Sequence, residues 1–363
     1  MKSWLSKLKF DKPLALSVFV LCLFGIIAVY NTSTVTGAYE FNDKYFFLKE
    51  QIKWFIVGCL ALIGCFLLPY KKWYSVSIFL LLFAIFLLLL VLLPGVGQVI
   101  KGARRWLPFG GQPSEFAKLA LVIYLSAWFS NKEKGRLWAF ALLCTLIIGL
   151  IMLQPDMGTA IVLGLIAVIL YFISGAPIWH FLILIPTTVM IGITLIKIAP
   201  YRFSRLTTFL NMEKDPLGAS YHIRQILIAL GSGGLWGIGL GKSRQKYSYV
   251  PESNTDSIFA IIGEEIGFIG CSLLICLFLF IFYRGLRIAK NSTDNFGRLL
   301  ATGITFYLAT QTIINLSSMV AIIPLTGVPL PFISYGGSAL TVNMAAIGIL
   351  LNISRFQVTA RKK

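Results

Sequence analysis

Acidic residues are scarce in this sequence: 14 Asp and Glu stand against 32 Lys and Arg among 363 residues, and charges of both signs make up 13% of the chain. Histidine is scarcer still, at two residues, and no carboxylate or histidine set has metal-ligand spacing. The six cysteines, Cys22, Cys59, Cys65, Cys144, Cys271 and Cys276, all fall inside apolar runs and read as small core or lipid-facing residues, which excludes a disulfide framework. So little charge excludes a soluble globular protein of ordinary composition. What replaces it is apolar, at 57% of residues and a mean hydropathy of +0.83. A bilayer span takes about 20 residues, so the chain holds at most roughly a dozen helices. That leaves no large soluble domain and no soluble nucleotide-binding unit, and nucleic acid is not an expected partner.

Apolar runs bounded by charges or by Pro and Gly clusters lie at about 14–31, 48–68, 76–93, 114–130, 137–153, 158–174, 178–199, 256–283, 297–318 and 338–354. They predict an all-α integral membrane protein of about ten transmembrane helices, a single polytopic domain over 1–363. A long extracytoplasmic loop, 200–255, separates helices 7 and 8. The basic stretch from Met1 to Pro13 precedes the first run as it would in a signal peptide. Val29-Tyr30-Asn31-Thr32 is a poor small-residue cleavage site, however, so the first run reads as a retained span.

An even number of spans puts both termini on one side, and Lys and Arg near span ends identify that side. It holds Lys2, Lys7, Lys9, Lys12, Lys71, Lys72, Lys132, Lys134, Arg136, Arg284, Arg287, Lys290, Arg298, Arg355, Arg361, Lys362 and Lys363, which is 17 of the 32 and marks it as cytoplasmic. The other basic residues gather outside, between Lys101 and Arg105 and along 200–255. Membrane insertion gains nothing from charge placed there. Either the outer surface is simply solvated or headgroup-binding, or it handles an anion.

Within the outer segment, Asp215-Pro216-Leu217-Gly218 is a turn signal, and apolar residues from Ser220 to Leu230 recur at helical steps, as in a helix lying on the membrane surface. The glycines from Gly231 to Gly241 precede Lys242-Ser243, but a P-loop needs Gly where Trp236 stands, so they read as close packing or a hinge. Lys242, Arg244 and Lys246 then put three cations in five residues. Asp256 follows, expected in the first turn of an apolar helix with Thr255 as its cap. An acid at the junction of an apolar core and a basic segment is also a functional candidate. Gly263, Gly267 and Gly270 form a small-residue face, while Glu264 and Glu265 lie deeper and need partners. Glu115 and Lys118 share a helix face, as an internal ion pair or with Lys118 on substrate, and are candidates to supply one such partner. Arg104 and Arg105 suit phosphate oxygens, and Trp106 suits an interfacial anchor. Gln154-Pro155-Asp156 and the stretch from Pro324 to Gly337 break the membrane and must line protein or a wet cavity. His180 and His222 read as structural or interfacial.

Taken in order, Lys-Gly-Ala-Arg-Arg-Trp (101–106), Gln-Pro-Ser-Glu-Phe-Ala-Lys (112–118), Gln-Pro-Asp-Met-Gly-Thr-Ala (154–160), Gly-Leu-Gly-Lys-Ser-Arg-Gln-Lys (239–246), Pro-Glu-Ser-Asn-Thr-Asp-Ser-Ile-Phe-Ala (251–260) and Pro-Leu-Pro-Phe-Ile-Ser-Tyr-Gly-Gly-Ser (329–338) resemble the SEDS family of FtsW, RodA and SpoVE. Residues 261–265 and 324–329 look more like its division branch than its elongation branch. The resemblance implies a peptidoglycan glycosyltransferase of the bacterial cytoplasmic membrane, at the division septum, that polymerises lipid II on the outer face. It also implies a class B penicillin-binding protein and other division proteins as partners. The family's essential aspartate falls on Asp256. One departure is that the usual His-Thr-Asp-Phe is here Asn254-Thr255-Asp256-Ser257.

On that footing Asp256 is expected as general base toward the acceptor hydroxyl. Arg104, Arg105, Lys118, Lys242, Arg244 and Lys246 are expected around the leaving pyrophosphate, with or without a divalent cation (Mg2+ or Mn2+). No other cofactor is indicated. Trp106, Glu115, Asp156, Glu252, Ser334 and Tyr335, from the same motifs, complete the candidate substrate-binding set. The alternatives are a lipid II flippase, an elongation polymerase of the RodA type, and a scaffolding membrane protein.

Overall fold

The computed structural model describes residues 10–100, 102–108, 110–131, 135–211, 220–247 and 249–360. The 215–218 turn, Lys101, Lys132, Lys134 and the terminal basic residues Lys2, Lys7, Lys9, Arg361, Lys362 and Lys363 lie outside them. Among the described residues, ten apolar helices form a bundle: α1 (Lys12–Phe41), α2 (Phe46–Leu67), α3 (Lys71–Leu90), α4 (Pro113–Ser130), α5 (Leu137–Leu153), α6 (Met157–Ile173), α7 (Ile178–Ile198), α10 (Ile258–Lys290), α11 (Asn295–Met319) and α12 (Gly337–Ala360). Two amphipathic helices, α8 (Pro200–Leu210) and α9 (Tyr221–Ser232), lie between α7 and α10, and an antiparallel hairpin of β1 (Gln98–Ile100) and β2 (Ala103–Trp106) joins α3 to α4. Seven of the apolar helices are long and apolar enough to cross a membrane unaided. The others, α4, α5 and α6, have 17 or 18 residues, about 26 Å of helix.

A helix covers each of the ten expected spans, but several run further than apolarity suggests. Helix α1 continues through Asn31-Thr32-Ser33-Thr34 because these hydroxyls return to the preceding turn, as Thr32 Oγ1 does to the Ala28 carbonyl (3.0 Å). Helix α10 continues past Arg284 because that guanidinium pairs with Asp11 at 2.5 Å. The same carboxylate caps α1 through the Leu14 amide, and the Asp11 amide donates to Ser354 Oγ near the end of α12. The start of α1 and the ends of α10 and α12 therefore meet at one face, as an even number of spans requires. Helices α4, α11 and α12 form the buried centre, while α7 buries only His180 and Phe181.

At the opposite face two irregular stretches enter the bundle. Residues 320–336 run without helix between α11 and α12, with Val328, Leu330, Phe332 and Ile333 buried. They press so closely on the middle of α1 that a Cβ at Gly25 would overlap the Phe332 carbonyl oxygen. The second irregularity is inside α10. Gly267 adopts φ 67°, ψ −171° and breaks the helix there, a conformation essentially open only to glycine. The glycine-rich stretch fills the break: the Ile238 and Gly239 amides donate to the Glu264 and Glu265 carbonyls (3.0 and 3.1 Å), and the Phe268 and Ile269 amides to those of Gly234 and Leu235 (2.9 and 3.2 Å). The glycines are thus close packing, and Gly267 is a breakpoint in the expected small-residue face. Replacing Gly267 by Ala should lower unfolding stability by about 1–3 kcal/mol. Gly64→Ala in α2, where nothing lies within 4 Å of an added Cβ, should be neutral in the same thermal unfolding series in detergent.

Candidate active site

Helix α10 begins at Ile258, two residues later than the sequence suggests, so Asp256 lies on the tight turn 251–257 ahead of it. Thr255 accordingly does not cap the helix. Its Oγ1 lies 3.2 Å from Asp256 Oδ1 and 3.0 Å from Glu252 Oε2, so one hydroxyl is shared by two carboxylates. The Glu252 carbonyl accepts from the Thr255 and Ser257 amides (3.1 and 3.2 Å), which fixes the turn. Ser257, the residue before α10, meets His222 Nε2 of α9 at 2.9 Å. His222, expected to be structural or interfacial, is therefore one residue from the candidate acid. His180 is buried against the Tyr171 hydroxyl at 2.6 Å.

The irregular stretch 320–336 forms the wall beside this turn. The Tyr335 amide donates to the Asn254 carbonyl (2.9 Å), and a Cβ at Gly327 would stand 3.9 Å from Asp256 Oδ2. Ser334 Oγ accepts from the Leu330 amide (2.8 Å) and so braces the stretch from within. The Tyr335 ring packs edge-on against Phe47 of α2. Asp156 caps α6 through the Thr159 amide (3.1 Å) and hydroxyl (2.9 Å), and also accepts from Gln112 Nε2 (2.9 Å). Gly158 then abuts the Thr326 carbonyl, tying this corner to the wall near Asp256.

The candidate cations divide into those that face outward and those that serve the fold. Arg105 donates to the Gln154 and Pro155 carbonyls (3.0 and 2.7 Å), and Arg104 to the Leu92 carbonyl (3.3 Å). Each half-buried guanidinium, with five N–H groups, retains donors for an anion beside these carbonyls. Trp106 pairs with Gln98 across the hairpin. Lys118 is fully enclosed, 2.7 Å from Glu115 and 3.5 Å from Gln311 Oε1, and faces the Tyr307 ring. This is the internal ion pair, and it does not serve Glu264 and Glu265. Those two carboxylates are met instead by the loop after the glycines: Glu264 takes the Ser243 hydroxyl and the Arg244 and Gln245 amides (3.1 and 3.4 Å). Glu265 takes the Ser243 amide (3.3 Å), the Asn31 amide group and Lys246 at 3.6 Å. Lys242, Arg244 and Lys246 therefore do not act as one group. Lys242 and Arg244 are exposed, whereas Lys246 is buried and also donates to Asn31 Oδ1 (2.8 Å).

The residues missed by motif reading are polar groups inside spans. Asn315 of α11 donates through Nδ2 to the carbonyls of both Asp256 and Val328 (2.8 Å each), and Gln311, one turn earlier, donates to that of Pro329 (3.2 Å). Their signal was a pair of amides spaced i, i+4 in an apolar helix, where polar side chains are costly. Among the described residues no three of His, Cys, Asp and Glu come together as a metal site.

A family model described as a cell cycle protein, FTSW_RODA_SPOVE, matches residues 12–359. The chain is similar to stage V sporulation protein E of Bacillus subtilis (strain 168), 42% identical over 356 residues, covering 95% of this chain and 97% of that one. It is also similar to the probable peptidoglycan glycosyltransferase FtsW of Trichlorobacter lovleyi, 38% identical over 356 residues, covering 95% and 93%. Among solved structures, a chain of a peptidoglycan synthase complex matches with a TM-score of 0.80 at 27% identity, covering 96% of this chain and 99% of that one. The rod shape determining protein RodA of Thermus thermophilus matches with a TM-score of 0.71 at 27% identity, covering 96% and 98%.

The division among the cations is measurable. Lys246→Met strands the buried Glu265 carboxylate and should cost about 3 kcal/mol of stability, read as a lowered unfolding midpoint in detergent. Lys242→Met, at an exposed position, should leave that midpoint unchanged.

Proposed function

This chain belongs to the FtsW, RodA and SpoVE family, and on that footing we propose that it is a peptidoglycan glycosyltransferase. It polymerises lipid II on the outer face of the cytoplasmic membrane during cell division. The observation that carries this reading is the position of Asp256: a carboxylate on a non-helical turn, at the end of the bundle away from the start of α1 and the end of α12, flanked by the irregular wall 320–336. Relatives bearing the name peptidoglycan glycosyltransferase support the reaction type.

The chemistry assigns roles to these groups. Asp256 takes the proton from the 4-hydroxyl of the acceptor GlcNAc as that oxygen bonds to the anomeric carbon of the donor. The bond from that carbon to the pyrophosphate oxygen breaks on the opposite side, so configuration inverts and undecaprenyl diphosphate leaves. A positioned base contributes about 10²–10⁴ in rate. The exposed Lys242 and Arg244, with the free donors of Arg104 and Arg105, hold the departing pyrophosphate. Glu115, Lys118, Asp156, Lys246 and Ser334 shape the site through the contacts described above, and Glu252 and Thr255 hold the turn. A divalent cation, Mg2+ or Mn2+, fits as one carried mainly by the substrate. Such ions take one or two carboxylates and complete their shell with phosphate and water, and Glu252, on the same turn as Asp256, offers one.

The similarity to a chain of a peptidoglycan synthase complex with coordinated polymerization and crosslinking supports a class B penicillin-binding protein as partner. The division assignment rests on residues 261–265 and 324–329, and on relatives named FtsW. A flippase has less support, since the basic residues stand at the two ends of the bundle and not along a path through it, and Lys118 in the interior is already paired. With purified full-length protein and its partner, Asp256→Ala should lower lipid II polymerisation at least about 10²-fold. Undiminished polymerisation would sink the mechanism, and fluorescent lipid II crossing vesicles at the wild-type rate without polymerisation would favour the flippase.

A further inference from the structure

Asp256 lies outside any helix, so neither a helical backbone nor a cap holds it in place. Its main chain is held instead by a side chain of another element. Asn315 of α11 has no exposed surface, and its NH₂ group has two hydrogens. Both are committed, one to the Asp256 carbonyl and one to the Val328 carbonyl, each at 2.8 Å. One amide therefore clamps the acid-bearing turn to the wall that faces it. One turn away on the same helix, Gln311 donates to the next wall carbonyl, that of Pro329 (3.2 Å), while its Oε1 lies 3.5 Å from Lys118 Nζ, the cation of the buried pair with Glu115. The clamp is thus anchored in the buried centre of the bundle. A third link, from the Tyr335 amide to the Asn254 carbonyl (2.9 Å), ties the other end of the turn to the same wall.

We infer that Asn315 is a positioning residue for glycosyl transfer: by bridging the Asp256 and Val328 carbonyls it sets the distance between the base and the wall against which the acceptor sugar must lie. This inference rests on the reading of Asp256 as general base. Because Asn315 contacts the peptide carbonyl of Asp256 and not its carboxylate, it acts on where the base stands more than on whether it is ionised. Misplacement of a reacting group by about 1 Å costs about 10²-fold in rate. Loss of the clamp should appear in kcat and leave substrate binding in place.

The test uses the purified full-length protein with its partner transpeptidase and lipid II as substrate, with rates normalised to monodisperse folded protein. Asn315→Asp keeps the shape of the side chain but carries no N–H donor, and Asn315→Leu removes polarity altogether. Both should lower kcat by about 10–10²-fold with KM for lipid II within about twofold. Asn315→Ser, which keeps a single donor, should fall between them and the parent, and stands in wherever a larger change yields no folded protein. In the uncharged Asn315→Leu and Asn315→Ser variants the acid limb of the kcat–pH profile should stay where it is in the parent, whereas the carboxylate of Asn315→Asp adds a charge of its own and is read by kcat alone. The inference is overturned if all folded variants turn over at the parental kcat, as for a merely structural residue. It is equally overturned if KM rises while kcat holds, as for a substrate contact, or if the acid limb moves enough to account for the loss. Asp256→Ala, run alongside, separates the two levels. Full activity there removes the general-base reading itself, whereas an inactive Asp256→Ala with unaffected Asn315 variants removes only the clamp.

Discussion

Backbone amides and carbonyls cannot be left unpaired within a bilayer, and this constraint governs every irregular element in the protein. The regular helical segments meet it by themselves. The turn at Asp256, the stretch 320–336 and the break at Gly267 cannot, so each borrows partners from elsewhere. The break takes its partners from the backbone of residues 234–239, and the wall takes amide groups from Gln311 and Asn315. Arginine side chains do the same at helix ends, as Arg105 does for Gln154 and Pro155. The polar residues of this apolar chain are therefore spent first on the main chain, and the site is assembled from what those commitments leave over.

That order explains why similar residues have different fates. Lys242 and Lys246 are four positions apart in one basic cluster, yet one is exposed and the other is enclosed with Glu265 and Asn31. The row of amides from Ser243 to Gln245 resembles a phosphate cradle in form, and the carboxylates of Glu264 and Glu265 occupy it. A loop that looks poised for an external anion is held down by internal ones.

The spans were legible because lipid leaves no alternative to a run of apolar residues bounded by polar ones, and α2 to α7 begin and end close to where apolarity changes. The candidate acid was legible as an ionisable group at a junction. Three things were not. The ends of α1 and α10 depend on hydroxyl back-bonding and on the Asp11–Arg284 pair, neither of which hydropathy registers. The partners of Glu264 and Glu265 were sought in α4, but Lys118 is committed to Glu115 within its own helix, and the carboxylates turn to a loop 20 residues earlier in the chain. The roles of Asn315 and His222 depend on contacts across 59 and 35 residues, separations that no local pattern encodes.

The repair of the α10 break has a direction in time. The segment that satisfies it, 234–239, is translated about thirty residues ahead of Gly267. When the broken helix leaves the ribosome, its complement has already been made. The same contacts in the reverse chain order would oblige an incomplete helix to wait in the membrane with open hydrogen-bonding groups. The order of these segments along the chain thus places the complement ahead of the break that it serves.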